Sequence, residues 1–286
     1  MFSPLRNRSF SVSTVVLAFA IAGCQVTPGE VMSGGDLSGY SGAVINIASL
    51  SDVIEANPND PGPYNVRGTA YGEAGQYSKA LEDFNRAIQL DPSFHQAYAN
   101  RALVHERLGR SDLALQDYNR ALSIDGQYEP AFVGRGVIYR NQGNLGAALA
   151  DFERAISIDS GNPLGFHNRG LVYQSQNLHD LAIEDFTVAV GLNPNAPEPH
   201  YARGVSKLAV NQNEAALQDF NRAVELRPNY AAAWTGRGLA LEAIDRPDLA
   251  QNSFSRALQS NPRDEIARAG QRRTRGQSGG LFNTSN

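Results

Sequence analysis

The chain has 286 residues, 42% apolar and 19% charged, a balance that suits a folded body and is unlike that of a wholly disordered chain. Its formal charge is −4, and once Arg6 and Arg8 near the start are set aside, 23 basic residues face 29 acidic ones, so no electrostatic drive toward nucleic acid exists. A single cysteine excludes an intramolecular disulfide in any compartment.

In chain order, Met1–Ser9 carries Arg6 and Arg8 and no acid, and Phe10–Ala22 is apolar or small. That run of 13 residues is too short to cross a bilayer and has the length of an export signal's apolar region. It ends Ile21-Ala22-Gly23-Cys24, which resembles the bacterial lipobox. The resemblance implies that 1–23 is a lipoprotein signal peptide removed before Cys24, with a diacylglycerol on the thiol and an acyl chain on the new amine. The residue types fit that chemistry, because a thiolate is a strong nucleophile and the peptidase needs small side chains at the cut. Gln25, where an Asp would retain the protein in the inner membrane, implies an outer-membrane lipoprotein facing the periplasm. Residues 25–42 are rich in Gly, Ser and Pro and bury too little to fold, so 24–42 reads as a lipidated tether, reaching about 20–25 Å as a coil.

Residues 43–60 begin with AVINIASLSDVIEAN and then Pro58, the pattern of a second hairpin helix lacking its first, and are expected to cap the next unit. A 34-residue period follows, in frames 61–94, 95–128, 129–162, 163–196, 197–230 and 231–264. Frame position 8 is Gly68, Ala102, Gly136, Gly170, Gly204 and Gly238, and position 24 is Phe84, Tyr118, Phe152, Phe186, Phe220 and Phe254. Alanine fills positions 20 and 27 in all six frames, and proline stands at position 32 in four. Position 15, where a first helix should stop, is Gly75, Gly109, Gly143, Asn177, Asn211 and Asp245, types that tolerate a left-handed backbone. Small residues let two helix backbones approach, the aromatic fills the gap, and proline stops the second helix. These columns resemble the tetratricopeptide repeat over residues 61–264. The resemblance implies an all-α, right-handed α-solenoid of six helical hairpins with N- and C-terminal capping helices. A hairpin cannot bury its apolar face alone, so stacking neighbours must stabilise it. Residues 265–286 should close the stack, with a short helix ending near Arg275 and a disordered tail after it.

Position 7 is arginine in all six frames, Arg67, Arg101, Arg135, Arg169, Arg203 and Arg237, where the family usually has leucine. Position 23 is Asp83, Asp117, Asp151, Asp185 and Asp219, then Ser253. Such a ladder is either a binding strip for a charged polymer or a helix-to-helix pair, and its presence in every frame favours packing. The resemblance also implies a concave surface lined by first helices. Asn65, Asn100, Arg107, Arg140, His167, Asn168, Gln174 and Tyr201 fall on its positions, where amides and guanidiniums suit a peptide backbone or a carboxylate. As solvated side chains, Asn100 and Asn168 should be replaceable without loss of stability. The repeated lysines of a chaperone-tail clamp are missing.

Enzymatic motifs fail. His105-Glu106 would need a second histidine at Gly109, Gly134-x-Gly136 and Gly236-x-Gly238 lack a third glycine, and the histidines show no metal spacing. No catalytic residue, metal or cofactor is expected. The basic run Arg268, Arg272, Arg273, Arg275 is either a solvated helix end or a contact for phosphate or an acidic partner. Lipobox, tether and hairpins together resemble Gram-negative envelope lipoproteins of the NlpI type. This implies a membrane-anchored adaptor that binds other proteins, among them envelope proteases or peptidoglycan hydrolases, and supports envelope integrity. The alternatives are a pilotin-like factor for pili or secretion, and a homo-oligomeric structural lipoprotein whose repeats stack between chains.

Overall fold

A computed structural model describes residues 47–278, with side chains as far as Arg275. The expected export signal, the expected lipid site Cys24, the expected tether, residues 43–46 of the expected N-terminal cap and residues 279–286 lie outside the described residues. Every described element is helical. The order is α1 (Ile47–Ala56), α2 (Pro61–Glu73), α3 (Tyr77–Leu90), α4 (His95–Arg107), α5 (Ser111–Ile124), α6 (Glu129–Asn141), α7 (Leu145–Ile158), α8 (Pro163–Ser175), α9 (His179–Leu192), α10 (Pro197–Ala209), α11 (Asn213–Leu226), α12 (Ala231–Ala243), α13 (Pro247–Ser260) and α14 (Glu265–Ser278). Helices α2 to α13 form hairpins in consecutive pairs, and each hairpin packs on the next, as an α-solenoid requires.

Local chemistry sets the boundaries. Asp60 and Asn162 cap α2 and α8 by accepting from the amides of Gly62 and Leu164. All six position-15 residues are left-handed, from φ 58° at Asp245 to 77° at Gly143, and each ends a first helix. After the second helices Asp91, Asp125, Asp159, Asn193 and Asn261 accept from the backbone amide two residues on, which turns the chain into the next hairpin.

The core follows the columns. Every alanine at positions 20 and 27 is fully buried, and so are the phenylalanines at position 24. The aromatic explains the glycine opposite it: a Cβ on Gly136 would lie 2.6 Å from Phe152 Cε1, so a larger residue there would force the ring to shift.

Among the described residues, both ends are half repeats. Helix α1 keeps the phase of a second helix, since Ser51 accepts from Arg67 Nη1 as Asn85 accepts from Arg101. Helix α14 keeps the phase of a first helix: a Cβ on Gly270 would meet Phe254 at 2.4 Å, and Gln271 donates to Ser255 as the ladder arginines donate to the preceding hairpin. It runs to Ser278, beyond the expected end at Arg275.

Candidate functional site

The arginine ladder is an internal brace. Arg67, Arg101, Arg135, Arg169 and Arg203 each grip the aspartate of their own hairpin with Nε and Nη2, at 2.6–2.9 Å. In four of the five the remaining Nη1 donates backward, to Ser51, Asn85, Asn119 or Thr187, so one guanidinium ties three helices. Flanking rings complete the setting: Arg135 lies 5.5 Å from the Phe132 ring centre and 6.0 Å from that of Tyr139. The hydrogen bonds they donate to the aspartates raise the pKa values of Arg67, Arg101, Arg135 and Arg169 further. At the terminal frame Arg237 instead donates to Asn221 and Ser253, and burial without a carboxylate lowers its pKa.

The fifth hairpin departs from its siblings. His200 and Lys207 replace the flanking rings, and Asp219 receives His200, Arg203 and Lys207 together. Burial by itself would raise the Asp219 carboxyl, but the nearby His200 and the hydrogen bonds of Arg203 and Lys207 outweigh it and bring it down to about 2.

The concave-face residues do not form one open patch. Asn100 Nδ2 donates to Asn65 Oδ1 at 3.0 Å and lies 3.4 Å from Thr69 Oγ1, which joins α2 to α4. Arg140 Nη1 donates to Asn168 Oδ1 at 2.7 Å, which joins α6 to α8. Gln174 Nε2 reaches the Ala202 carbonyl and Ser206 Oγ, which joins α8 to α10. Asn100 and Asn168 are only 9% and 8% exposed, so the expectation that both are solvated is corrected. Stacked first helices leave short gaps, and an amide in such a gap is drawn to a neighbouring acceptor before it meets water. Tyr201 packs between the rings of Phe220 and Tyr230 rather than standing free. His167 is packed beside Phe186; burial, with Arg140 nearby, lowers its pKa to about 4 and keeps the ring neutral.

Arg107 stands apart. Its Nη2 is shielded from solvent and has no hydrogen-bond partner among the described residues. The adjacent Glu106 is held by Tyr118, whose hydroxyl donates to Oε1 at 2.6 Å. Burial raises the Glu106 carboxyl to about 7, opposed by that hydrogen bond and by Arg107. Tyr118 is the one hydroxyl in a column of phenylalanines, and its reach depends on Gly134, where a Cβ would meet Tyr118 Oη at 2.3 Å. The Tyr-for-Phe change was visible in the sequence, but its carboxylate partner was not. Among the described residues no three His, Cys, Asp or Glu side chains could hold a metal, and no helix is long and apolar enough to cross a membrane.

Tetratricopeptide-repeat family models match residues 65–129 and 165–196, and a TPR-repeat model matches 136–177 and 207–245, together more than half the chain. No curated protein sequence matches it. Among solved structures, a chain of the APC/C Cut9–Hcn1 hetero-tetramer superposes with TM-score 0.72 at 20% identity, over 80% of this chain and 46% of that one, so this chain spans less than half of that relative. PilW, a type IV pilus biogenesis factor, gives 0.65 at 18% identity over 73% of this chain and 97% of its own. YrrB, a TPR protein with an unusual peptide-binding site, gives 0.55 at 24% identity over 67% and 99%. These likenesses concern the fold. The repeat period, the left-handed helix stops, the ring-on-glycine packing and the family matches agree, and the chain belongs to the tetratricopeptide-repeat family.

Proposed function

We propose that this protein is a catalytically empty adaptor, anchored to the outer membrane through a lipid on Cys24 and facing the periplasm, that holds a partner segment against the first helices α4, α6 and α8. Protein binding is what tetratricopeptide hairpins commonly do, and the coarse reading rests on the family. The anchor rests on the lipobox-like Ile21-Ala22-Gly23-Cys24 and the Gly/Ser-rich tether behind it. The single observation that carries the site is Arg107, a shielded guanidinium nitrogen without a partner. A buried donor left unmade costs about 1–3 kcal/mol, and a carbonyl or carboxylate oxygen from a partner would recover it. The donors of Asn100, Asn168 and Gln174 are engaged internally, so they set the shape of the surface while Arg107 supplies its free valence.

The test is recovery of partners from detergent-solubilised envelopes with the wild-type chain and with Arg107→Ala. Envelope proteases or peptidoglycan hydrolases on the wild type, lost on the variant at unchanged melting temperature, support an adaptor for envelope integrity. Secretin or pilus subunits instead would make the protein an assembly factor, and recovery of nothing but its own chain would make it a structural lipoprotein. For the anchor, Cys24→Ala should abolish labelling by a palmitate analogue and release the protein from the membrane fraction. Continued labelling and flotation would overturn the lipid.

A further inference from the structure

Among the described residues, α14 is a first helix with no second helix packed on it, and α1 is a second helix with no first helix packed on it. In the six complete hairpins, positions 4, 7, 8 and 11 of the first helix are covered by the second helix. On α14 those positions are Arg268, Gln271, Arg272 and Arg275, and the three arginines are exposed. On α1 the matching side carries Ser49, Asp52, Val53 and Glu55, also exposed, with Val53 at 48%. Among the described residues nothing covers either face.

At positions 4 and 26 the two ends carry charges that the interior lacks there. In the first two hairpins, position 26 of the second helix meets position 4 of the first: Arg86 lies 5.9 Å from the Tyr64 ring centre and Arg120 lies 5.8 Å from that of Tyr98. A groove between those helices is lined by positions 4, 7, 22, 23, 25, 26 and 29, from Tyr64 to Gln89. At the ends, position 4 is Arg268, and positions 26 and 29 are Asp52 and Glu55. Position 26, arginine in every hairpin but the fourth, is acidic on α1, and position 4, a ring in every hairpin, is basic on α14. Arg268 is a true position-4 residue, because it bonds the carbonyl of Pro262 just as Tyr64, Tyr98 and Trp234 bond Pro58, Pro92 and Pro228.

We infer that α14 of one copy takes α1 of a second copy, and that the two half repeats close a composite hairpin through Arg268 against Asp52 and Glu55. The contact is head to tail. It uses different surfaces on the two copies, so it does not close on itself as a two-fold dimer would and extends into a row. Gln271 and Ser49 stand where the interior has its arginine–aspartate brace, a polar pair without charge. Arg272 replaces the glycine or alanine of position 8, which holds the two helices apart. The association is therefore reversible, and it weakens with salt because its charges are exposed.

Sedimentation velocity of the full chain, at rising protein concentration and at low and high salt, tests this. The expected result is a weight-average mass that grows past the dimer with concentration and falls with salt. Asp52→Arg and Arg268→Glu should each weaken association at least tenfold, and both changes in one chain should restore it. Arg272→Gly should strengthen it. Because Asp52 and Arg268 are exposed, circular dichroism should be the same for all four variants; if Arg268→Glu alters it, Arg268→Gln replaces it in the series. A wild type of constant mass at every concentration, an assembly that stops at the dimer, or a double variant no better than the single ones would each overturn the composite hairpin. The concave-face reading is untouched by any of these outcomes.

Discussion

Asn100 and Glu129 show how much a single side chain's surroundings decide. The Asn100 amide bridges α2 and α4, so Asn100→Ala leaves Asn65 Oδ1 facing a gap inside the stack. The expected cost is about 1 kcal/mol, read as a lower melting temperature, the opposite of what a solvated asparagine would give. Glu129 is 7% exposed, and burial raises its carboxyl to about 7, with the Asp159 charge adding and the Asn162 amide opposing. A carboxyl whose folded pKa lies above its ordinary 4.5 contributes stability that is complete below that value and is lost as pH rises through 7. His167 works in the other direction: lowered to about 4, it withdraws stability as pH falls from 6.5. The two overlap between pH 4.5 and 6.5, so a wild-type profile alone cannot separate them. Glu129→Gln should remove about 2 kcal/mol of the decline between pH 5 and 8 and leave the His167 limb in place. Equal slopes for wild type and variant in denaturant titrations would show that Glu129 is ionised in the fold.

Along a hairpin, the first helix must stop within one residue, and the left-handed position 15 makes it do so. Three frames use glycine there and three use Asn177, Asn211 and Asp245, at φ 59°, 61° and 58°. A residue with a Cβ pays about 1 kcal/mol in that region. Asp245→Gly should therefore raise the melting temperature of the last hairpin, whereas Gly143→Ala should lower it; no change in either would mean that the turn tolerates a Cβ. This stop was legible in the sequence because residue type alone signals it. The pairing of position 4 with the preceding proline was not. The polar tips of Tyr64, Tyr98, His200 and Trp234 bond the carbonyls of Pro58, Pro92, Pro194 and Pro228, six residues back. Phe132 and Phe166, which have no polar tip, follow Gly126 and Ser160, the two frames without proline. Both columns could be read in advance, but their coupling depends on the bend between hairpins, which no spacing rule supplies.

The whole stack was readable because one unit is written six times, so each column is tested against five others. The partner surface was not, because a site is written once, and Asn or Arg on a first helix serves equally well as contact for a ligand or as glue between neighbours. A one-dimensional stack also distributes damage in a particular way. Gly136 lies in the third hairpin, and a Cβ there would come 2.6 Å from the Phe152 ring. Gly270 lies in α14, and a Cβ there would come 2.4 Å from Phe254. The two insults are alike in kind, overpacking worth about 1–3 kcal/mol, but unlike in consequence. Gly136→Ala has hairpins on both sides, so it should break the cooperative unit, lower the global melting temperature and speed amide exchange from α4 to α9. Gly270→Ala has a neighbour on one side alone. It should release α14, with fast exchange over 265–278 and near-native protection from α2 to α11, and with α14 detached the head-to-tail association should go as well. Equal loss of protection throughout the chain for both variants would show that the stack unfolds as a single body and that its ends are not separable from its middle.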